Sequence, residues 1–335
     1  MASPMERWGL TFPLDGVSLS AHKEILSQAE SLGYTDAWTM EVDGIDPFVP
    51  AALGLSWTER LRFGTAIANV FVRGPAIMAQ AAAGVAEVAG GRFVLGIGAS
   101  SPAIVENWNG IRFRKPYTRV RETLAFLREA FTGERASNET LGVRGFRMRR
   151  RFADPPPIFV AALQEKMLAL AGSAADGVII NWLAPYDVPK VVAIAKEAAR
   201  QAGRDPEALE VVCRIFVIPT EDENVSRFIA RRSIAGYFTT PVYGAFHRWL
   251  GREESLGPMQ EAWDAGDRQK ATELVPDEVI DGVFVMGNPQ ACLDQIEEYC
   301  KNGVTVPVLN FIQTATDPGG LPALHLKTMR ELARP

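Results

Sequence analysis

The chain is poor in the residues that build metal sites and catalytic triads. It has three histidines in 335 residues, His22, His247 and His325, and no two stand at a spacing that would pair them on one helix face. Cysteine is equally scarce. Cys213, Cys292 and Cys300 form an odd set with no C-x-x-C spacing, which argues against a disulfide framework or a zinc site and for thiols in a reducing compartment. No uninterrupted apolar run is long enough to span a bilayer. The segment MASPMERWGL lacks the charged-then-apolar pattern of a secretion signal, so the expected location is the cytoplasm. A net charge of −5 gives no reason to expect nucleic acid as a partner. Whatever chemistry the chain performs is therefore not expected to rest on a metal or a triad.

What the sequence does contain is alternation. Short apolar runs, WGLTF (8–12), YTDAWTM (34–40), LRFGTAIAN (61–69), RFVLGIG (92–98), PPIFVAAL (156–163), GVIIN (177–181), EVVCRIFVIP (210–219) and VTVPVLNF (304–311), are separated by segments of helical periodicity. Val120, Leu124, Leu127 and Phe131 show the i, i+4, i+7, i+11 spacing of an amphipathic helix. The stretch GNPQACLDQIEEYCKNG carries Asn288 as N-cap, Pro289 at the first helical position and Gly303 after the last turn. Eight strands alternating with helices predict an α/β protein of the (β/α)8 TIM-barrel class, one domain over 1–335, with insertions after helix 4 (133–152) and after strand 7 (237–276). The doubly wound alternative usually opens with a G-x-G-x-x-G loop, which is missing here. Pro307 is a misfit inside strand eight, since a closed barrel offers no free edge for a residue without an N–H. The helix from Pro75 to Ala89 has only Gln80 and Glu87 as polar side chains, which predicts burial on most sides, including by a partner subunit.

The segment Leu61 to Trp108 carries the most information. Its two strands end in small residues, which leave room for a flat ligand at the carboxyl ends, where parallel α/β folds bind ligands. GGRFVLGIGASSPAIVENWNGIRFRKPYTRVRE resembles the fourth-strand region of luciferase-like monooxygenases, in particular the branch that uses the deazaflavin coenzyme F420. FGTAIANVFVRGPAIMAQAAA is similar to the family's third strand and helix, GYTDAWTME with DPF to its second strand, and PIFVAALQEKMLALAGSAADGVIINW to strands five and six. The resemblance covers most of the chain. It implies a TIM barrel, usually homodimeric, with flavin or deazaflavin at the carboxyl-end face.

The resemblance also implies site residues. A non-proline cis peptide at Ala66–Ile67 would bulge from strand three and press one face of the tricyclic ring, favouring a bent geometry for hydride transfer. Asn69 can then hydrogen-bond the ring or substrate, or serve as a turn residue. Gly98, Ala99, Ser100 and Ser101 lie between strand four and a helix start. Free N–H groups and hydroxyls there suit an anion or a ribityl chain, or simply a cap. Ala161, Ala162 and Leu163 would offer backbone N–H groups to the cofactor phosphate. The luciferase branch has hydroxyl residues at this place, so their absence favours coenzyme F420 over FMN. Asn181 and Trp182 would border the cofactor, the alternative for Trp182 being a structural plug. Arg112, Arg114 and Lys115 are candidates for an anionic tail, whereas Arg144, Arg147, Arg149, Arg150 and Arg151 fall on the opposite face as a solvated hairpin or dimer contact.

Two acids or bases of the family's sugar-phosphate dehydrogenase branch are missing. No Glu stands beside Ser101, and the histidine position at the end of strand two reads Glu41–Val42. That mechanism therefore does not carry over. Glu41 remains the one carboxylate at a strand's carboxyl end, either an acid/base group or half of an ion pair with an arginine. The aromatic insertion after strand seven (Tyr237, Phe238, Tyr243, Phe246, Trp249) is a lid or a small core of its own. Three readings stay open, in this order: an F420-dependent oxidoreductase passing hydride between deazaflavin and a small organic substrate, an FMN-dependent monooxygenase, and a barrel that binds flavin or ligand without turnover.

Overall fold

Eight of the apolar runs become the staves of a closed parallel barrel. The structure, a computed structural model, describes residues 7–149, 154–314 and 320–334. The staves are β1 (Gly9–Thr11), β2 (Asp36–Thr39), β3 (Arg62–Thr65), β4 (Phe93–Gly98), β5 (Ile158–Ala161), β6 (Gly177–Asn181), β7 (Glu210–Ile218) and β8 (Val306–Phe311). They pair in sequence order, and β8 closes the ring between β7 and β1. The helices that cover them are α1 (His22–Ser31), α2 (Phe48–Trp57), α3 (Pro75–Ala89), α4 (Pro116–Phe131), α5 (Glu165–Ala174) and α6 (Val188–Gln201). After β7 come α7 (Glu223–Phe238), α8 (Pro241–Trp249), α9 (Glu253–Asp264), α10 (Arg268–Glu273), α11 (Asp277–Val283) and α12 (Pro289–Lys301), and α13 (Leu321–Glu331) follows β8. The (β/α)8 expectation is met. No helix among the described residues is long and apolar enough to cross a membrane.

Strand alternation stacks the barrel interior in layers. At the amino-terminal end Arg62 bridges the fully buried Asp36 (Nε–Oδ1 2.6 Å) and Glu210, which it meets through two bonds of 2.8 Å. Above this ionic floor lies an apolar layer of Trp38, Val94, Phe159, Ile179, Val212 and Val308. Pro307 is the second residue of β8, in register with Cys213. A proline at the start of a strand removes one rung only, and the barrel closes through it.

A two-stranded hairpin (Ala136–Asn138 with Val143–Phe146) follows α4 and carries Arg144. Arg147 and Arg149 come after it, while Arg150 and Arg151 lie outside the described residues. After β7, helices α8 to α10 occupy the stretch predicted as an insertion, packed through a second apolar cluster around Phe238 and Met259. One further strand, Phe284–Met286, pairs with Phe216–Ile218 of β7. It is absent from the sequence reading because three residues carry no periodicity. The structure explains it: β6 leaves β7 at Arg214, and the exposed upper edge of β7 takes a new partner.

In the single chain helix α3 leaves part of its apolar surface uncovered. Ile77 and Val88 are 58% and 50% exposed in the single chain, and Val49 of the neighbouring α2 is 50% exposed.

Candidate functional site at the carboxyl-end mouth

The mouth is shaped first by the end of β3. The Ala66–Ile67 peptide is cis, as is Phe12–Pro13. The kinked segment is tied on both sides. Ala66 donates its N–H to Thr39 O (2.6 Å), and the Thr65 hydroxyl donates to Gly96 O (2.7 Å) while accepting the Gly96 N–H (2.9 Å). Ala68 and Asn69 then rejoin β4 opposite Ile97 and Gly98. The glycines within these strands serve the barrel itself. A Cβ on Gly64 would lie 2.3 Å from the Trp38 ring, and one on Gly96 only 1.8 Å from Thr65 O. Gly98 stands at the mouth proper, where a Cβ would press on Ile67 and Ala161 at 3.0 and 3.1 Å. The small residues thus permit the bulge, and the bulge makes the mouth.

Asn69 is fully buried. Its Oδ1 accepts the Phe71 N–H (2.9 Å), which fixes the amide orientation, and its Nδ2 has no partner. A buried unmet donor costs roughly 1–3 kcal/mol, so this group is suited to a ligand acceptor. Glu41 holds the same segment from outside. One carboxylate oxygen accepts the Asn69 N–H (2.7 Å) and the other accepts Arg73 Nε (2.8 Å). Arg73 also meets Asp46, whose second oxygen caps α2 through the N–H groups of Phe48 and Val49. With both oxygens engaged, Glu41 has the arrangement of the ion-pair alternative.

After β4 the two serines separate in role. Ser101 Oγ accepts the Ile104 N–H (3.4 Å) at the start of a π-helical turn, Ala103–Trp108. Ser100 has φ 63°, a left-handed conformation that non-glycine residues adopt at some cost, and its hydroxyl has no bond among the described residues. Ala99 joins it half-buried on the same turn. Beyond the turn, Arg112, Arg114 and Lys115 are exposed and unpaired among the described residues. On β5, Ala161 faces the interior beside Gly98, and Ala162 is buried. Ala162 already donates its N–H to Ile179 O (3.0 Å), so of the expected backbone donors it is spent, and Leu163 and the first turn of α5 are what remain.

The far wall is aromatic and basic. Asn181 Nδ2 donates to Tyr243 Oη (3.3 Å). Trp182, at φ 54°, is 4% exposed. Its ring lies between Phe216 (4.0 Å) and Tyr237 (4.5 Å), with Phe238 and Phe284 edge-on. Both indole faces are covered, which leaves its edge and backbone to border a ligand. Beside it sits a residue that sequence reasoning missed, Arg214. Its guanidinium lies 5.0 Å from the Phe216 ring and donates to Asn310 Oδ1 (3.1 Å), and its Nε is buried without a partner. The signal was present: in EVVCRIFVIP, period-2 alternation puts Val212, Arg214 and Phe216 on one face, and a cation on a barrel's inner face is exceptional.

Comparison with known proteins bears on this mouth. The chain is 29% identical to 5,10-methylenetetrahydromethanopterin reductase of Methanolobus tindarius over 308 residues, covering 89% of this chain and 92% of the relative. It is 27% identical over 315 residues to a Mycobacterium tuberculosis protein provisionally named coenzyme F420-dependent oxidoreductase, covering 86% and 90%. Among solved structures, the coenzyme F420-dependent tetrahydromethanopterin reductase of Methanopyrus kandleri superposes with a TM-score of 0.77 at 22% identity, over 98% of this chain and 97% of that one. The luciferase-like monooxygenase profile matches residues 9–306. The chain belongs to the luciferase-like monooxygenase family.

Proposed function

We propose that the protein is an oxidoreductase that binds coenzyme F420 at the barrel mouth and passes hydride between it and a small organic substrate. The observation that carries this reading is the Ala66–Ile67 bulge flanked by a buried unmet donor, Asn69 Nδ2, and by the half-buried Ser100 hydroxyl. Together they offer a flat apolar support with donors at its edge, which is what a tricyclic ring with a polar chain requires. The relative named for coenzyme F420 supports the choice of cofactor, and the exposed Arg112, Arg114 and Lys115 suit its anionic tail. Bound deazaflavin supplies the two-electron chemistry.

The chain's own residues then bind and orient. Ala66 and Ile67 support one ring face. Asn69 donates to a ring acceptor. Gly98, Ala99, Ser100 and Ser101 line the path of the polar chain, and Leu163 with the α5 start faces the phosphate. Glu41 acts by position, clamping Asn69 and Arg73, and Asn181 holds Tyr243 in place. The apolar residues Val49, Ile77 and Val88 on α2 and α3 support a homodimer through this face. The three cysteines, all unpaired, suit a cytoplasmic location.

A titration followed by absorbance and fluorescence, with coenzyme F420 and FMN in parallel, tests the cofactor. Saturable F420 binding, tighter than FMN binding, is expected. Tight FMN binding without F420 binding would move the protein to the monooxygenase reading, which the family name itself keeps as the second choice.

A further inference from the structure

The positive charge of Arg214 at the mouth has no direct ion-pair partner among the described residues, and the Asp15 carboxylate acts on it only from beyond contact distance. Arg214 has five N–H donors, and among the described residues it makes one bond, to Asn310. Among the described residues no carboxylate lies within ion-pairing distance of it. The two arginines buried elsewhere among the described residues each have one: Arg62 has Asp36 and Glu210, and Arg252 has Asp187. A cation enclosed by protein and left unpaired is costly, and burial makes the Arg214 proton less tightly held than in water. A fold that keeps such a group at a cavity gains an anion-binding site in return.

Its place in the barrel says what the anion belongs to. In the ring of eight strands β7 is four strands from β3 in either direction, so Arg214 stands across the mouth from the Ala66–Ile67 bulge. A ring supported by the bulge turns its other face towards Arg214, which is the side a substrate occupies. The neighbours fit a second, apolar part of the same ligand. Tyr237 is 44% exposed and Tyr243 half-buried, and both pack against Trp182 and against each other. The Tyr243 hydroxyl accepts from Asn181 and so keeps its own proton to donate, and burial raises its pKa, which keeps that proton in place.

We propose that Arg214, with Tyr243 and Asn310, is the substrate-recognition site for a carboxylate carried on an aromatic or alkyl body. The guanidinium grips the two carboxylate oxygens, Tyr243 adds a third donor, and the tyrosine wall takes the apolar part. Asn310 holds the guanidinium in register. The assignment of this side to substrate rests on the proposed cofactor placement, whereas carboxylate binding itself does not.

Calorimetric titration of the full chain with 3-phenylpropanoate and with 3-phenylpropanamide, with and without coenzyme F420, tests it. The carboxylate is expected to bind at least tenfold more tightly than the amide. Arg214→Met should abolish that preference, and Arg214→Lys should retain part of it. Equal affinity for acid and amide, binding of neither, or an undiminished preference in Arg214→Met would overturn the proposal. The wild-type comparison decides even if a variant fails to fold. Carboxylate preference without F420 binding would keep this site and reject the cofactor reading. F420 binding without carboxylate preference would do the reverse.

Discussion

Removing Arg62 should cost the barrel about 3 kcal/mol. Arg62 is the centre of the ionic floor, joining β2, β3 and β7 through Asp36 and Glu210. Arg62→Met keeps much of the side-chain volume and strands Asp36, whose side chain is 0% exposed. Breaking a buried pair from one side costs roughly 3–5 kcal/mol, because the remaining charge is desolvated without compensation. Two partners soften the loss here: the Thr35 hydroxyl at 2.7 Å and Arg7 at 3.2 Å. Glu210, on the rim and a third exposed, regains water. The lower end of the range is therefore expected. With about 2.1 cal/mol/K of unfolding entropy per residue, 3 kcal/mol lowers Tm by roughly 4 °C in a chain of this length. Urea denaturation of wild type, Arg62→Met and the double variant Asp36→Asn/Arg62→Met measures it. The double variant should recover about half the loss, since it no longer buries a lone charge. A loss under about 1 kcal/mol, or a double variant no more stable than Arg62→Met, would refute the electrostatic account.

His247 should make the protein acid-labile. It is fully buried, stacked on Phe238 at 3.5 Å, and burial, aided by the Arg252 charge, pushes its pKa down to about 3. The folded imidazole stays neutral while the unfolded one takes a proton below about 6.5, so stability falls as pH drops from there towards 3. The loss at pH 5 is about 2 kcal/mol, and His247→Leu should flatten the stability–pH curve by that amount in urea melts. Ser100→Gly relieves a left-handed residue worth roughly 1 kcal/mol but adds glycine's chain entropy, so Tm should move little. The lost hydroxyl should weaken cofactor binding about fivefold in fluorescence titration. Glu41→Gln should weaken F420 binding through a loosened Asn69–Arg73 clamp, with no new pH dependence in the rate. A shifted pH profile would instead make Glu41 an acid/base group. Ile77→Lys with Val88→Lys should give a monomer by light scattering if α3 is the dimer face, and an unchanged mass would reject that face.

Much of the barrel was legible because its signals are local. Eight apolar runs with helical segments between them fixed the strand count and order, and Asn288 caps α12 as its spacing predicted, accepting the Ala291 N–H at 2.9 Å. The resemblance of the third-strand motif located the cis peptide at Ala66–Ile67. Three matters escaped. Gly64 and Gly96 carried no assigned role, and the structure shows them making room for the Trp38 ring and Thr65 O, which come from the adjacent strands β2 and β3. Glu41 read equally as acid or ion pair, because its partner Arg73 lies 32 residues away in sequence. Arg214 passed as one polar residue in an apolar run.

The sequence by itself determined the period of each segment, the order of the staves and therefore the class of barrel, since these follow from neighbouring residues and chain connectivity. Only the tertiary structure decided which polar groups are already satisfied by the protein and which are left for a ligand. Asn69 Nδ2 and Arg214 Nε are unmet because none of the described residues reaches them, whereas Glu41 and the Ala162 N–H are spent. Satisfaction of a buried group is a property of everything folded around it, and it is not written at any one position of the chain.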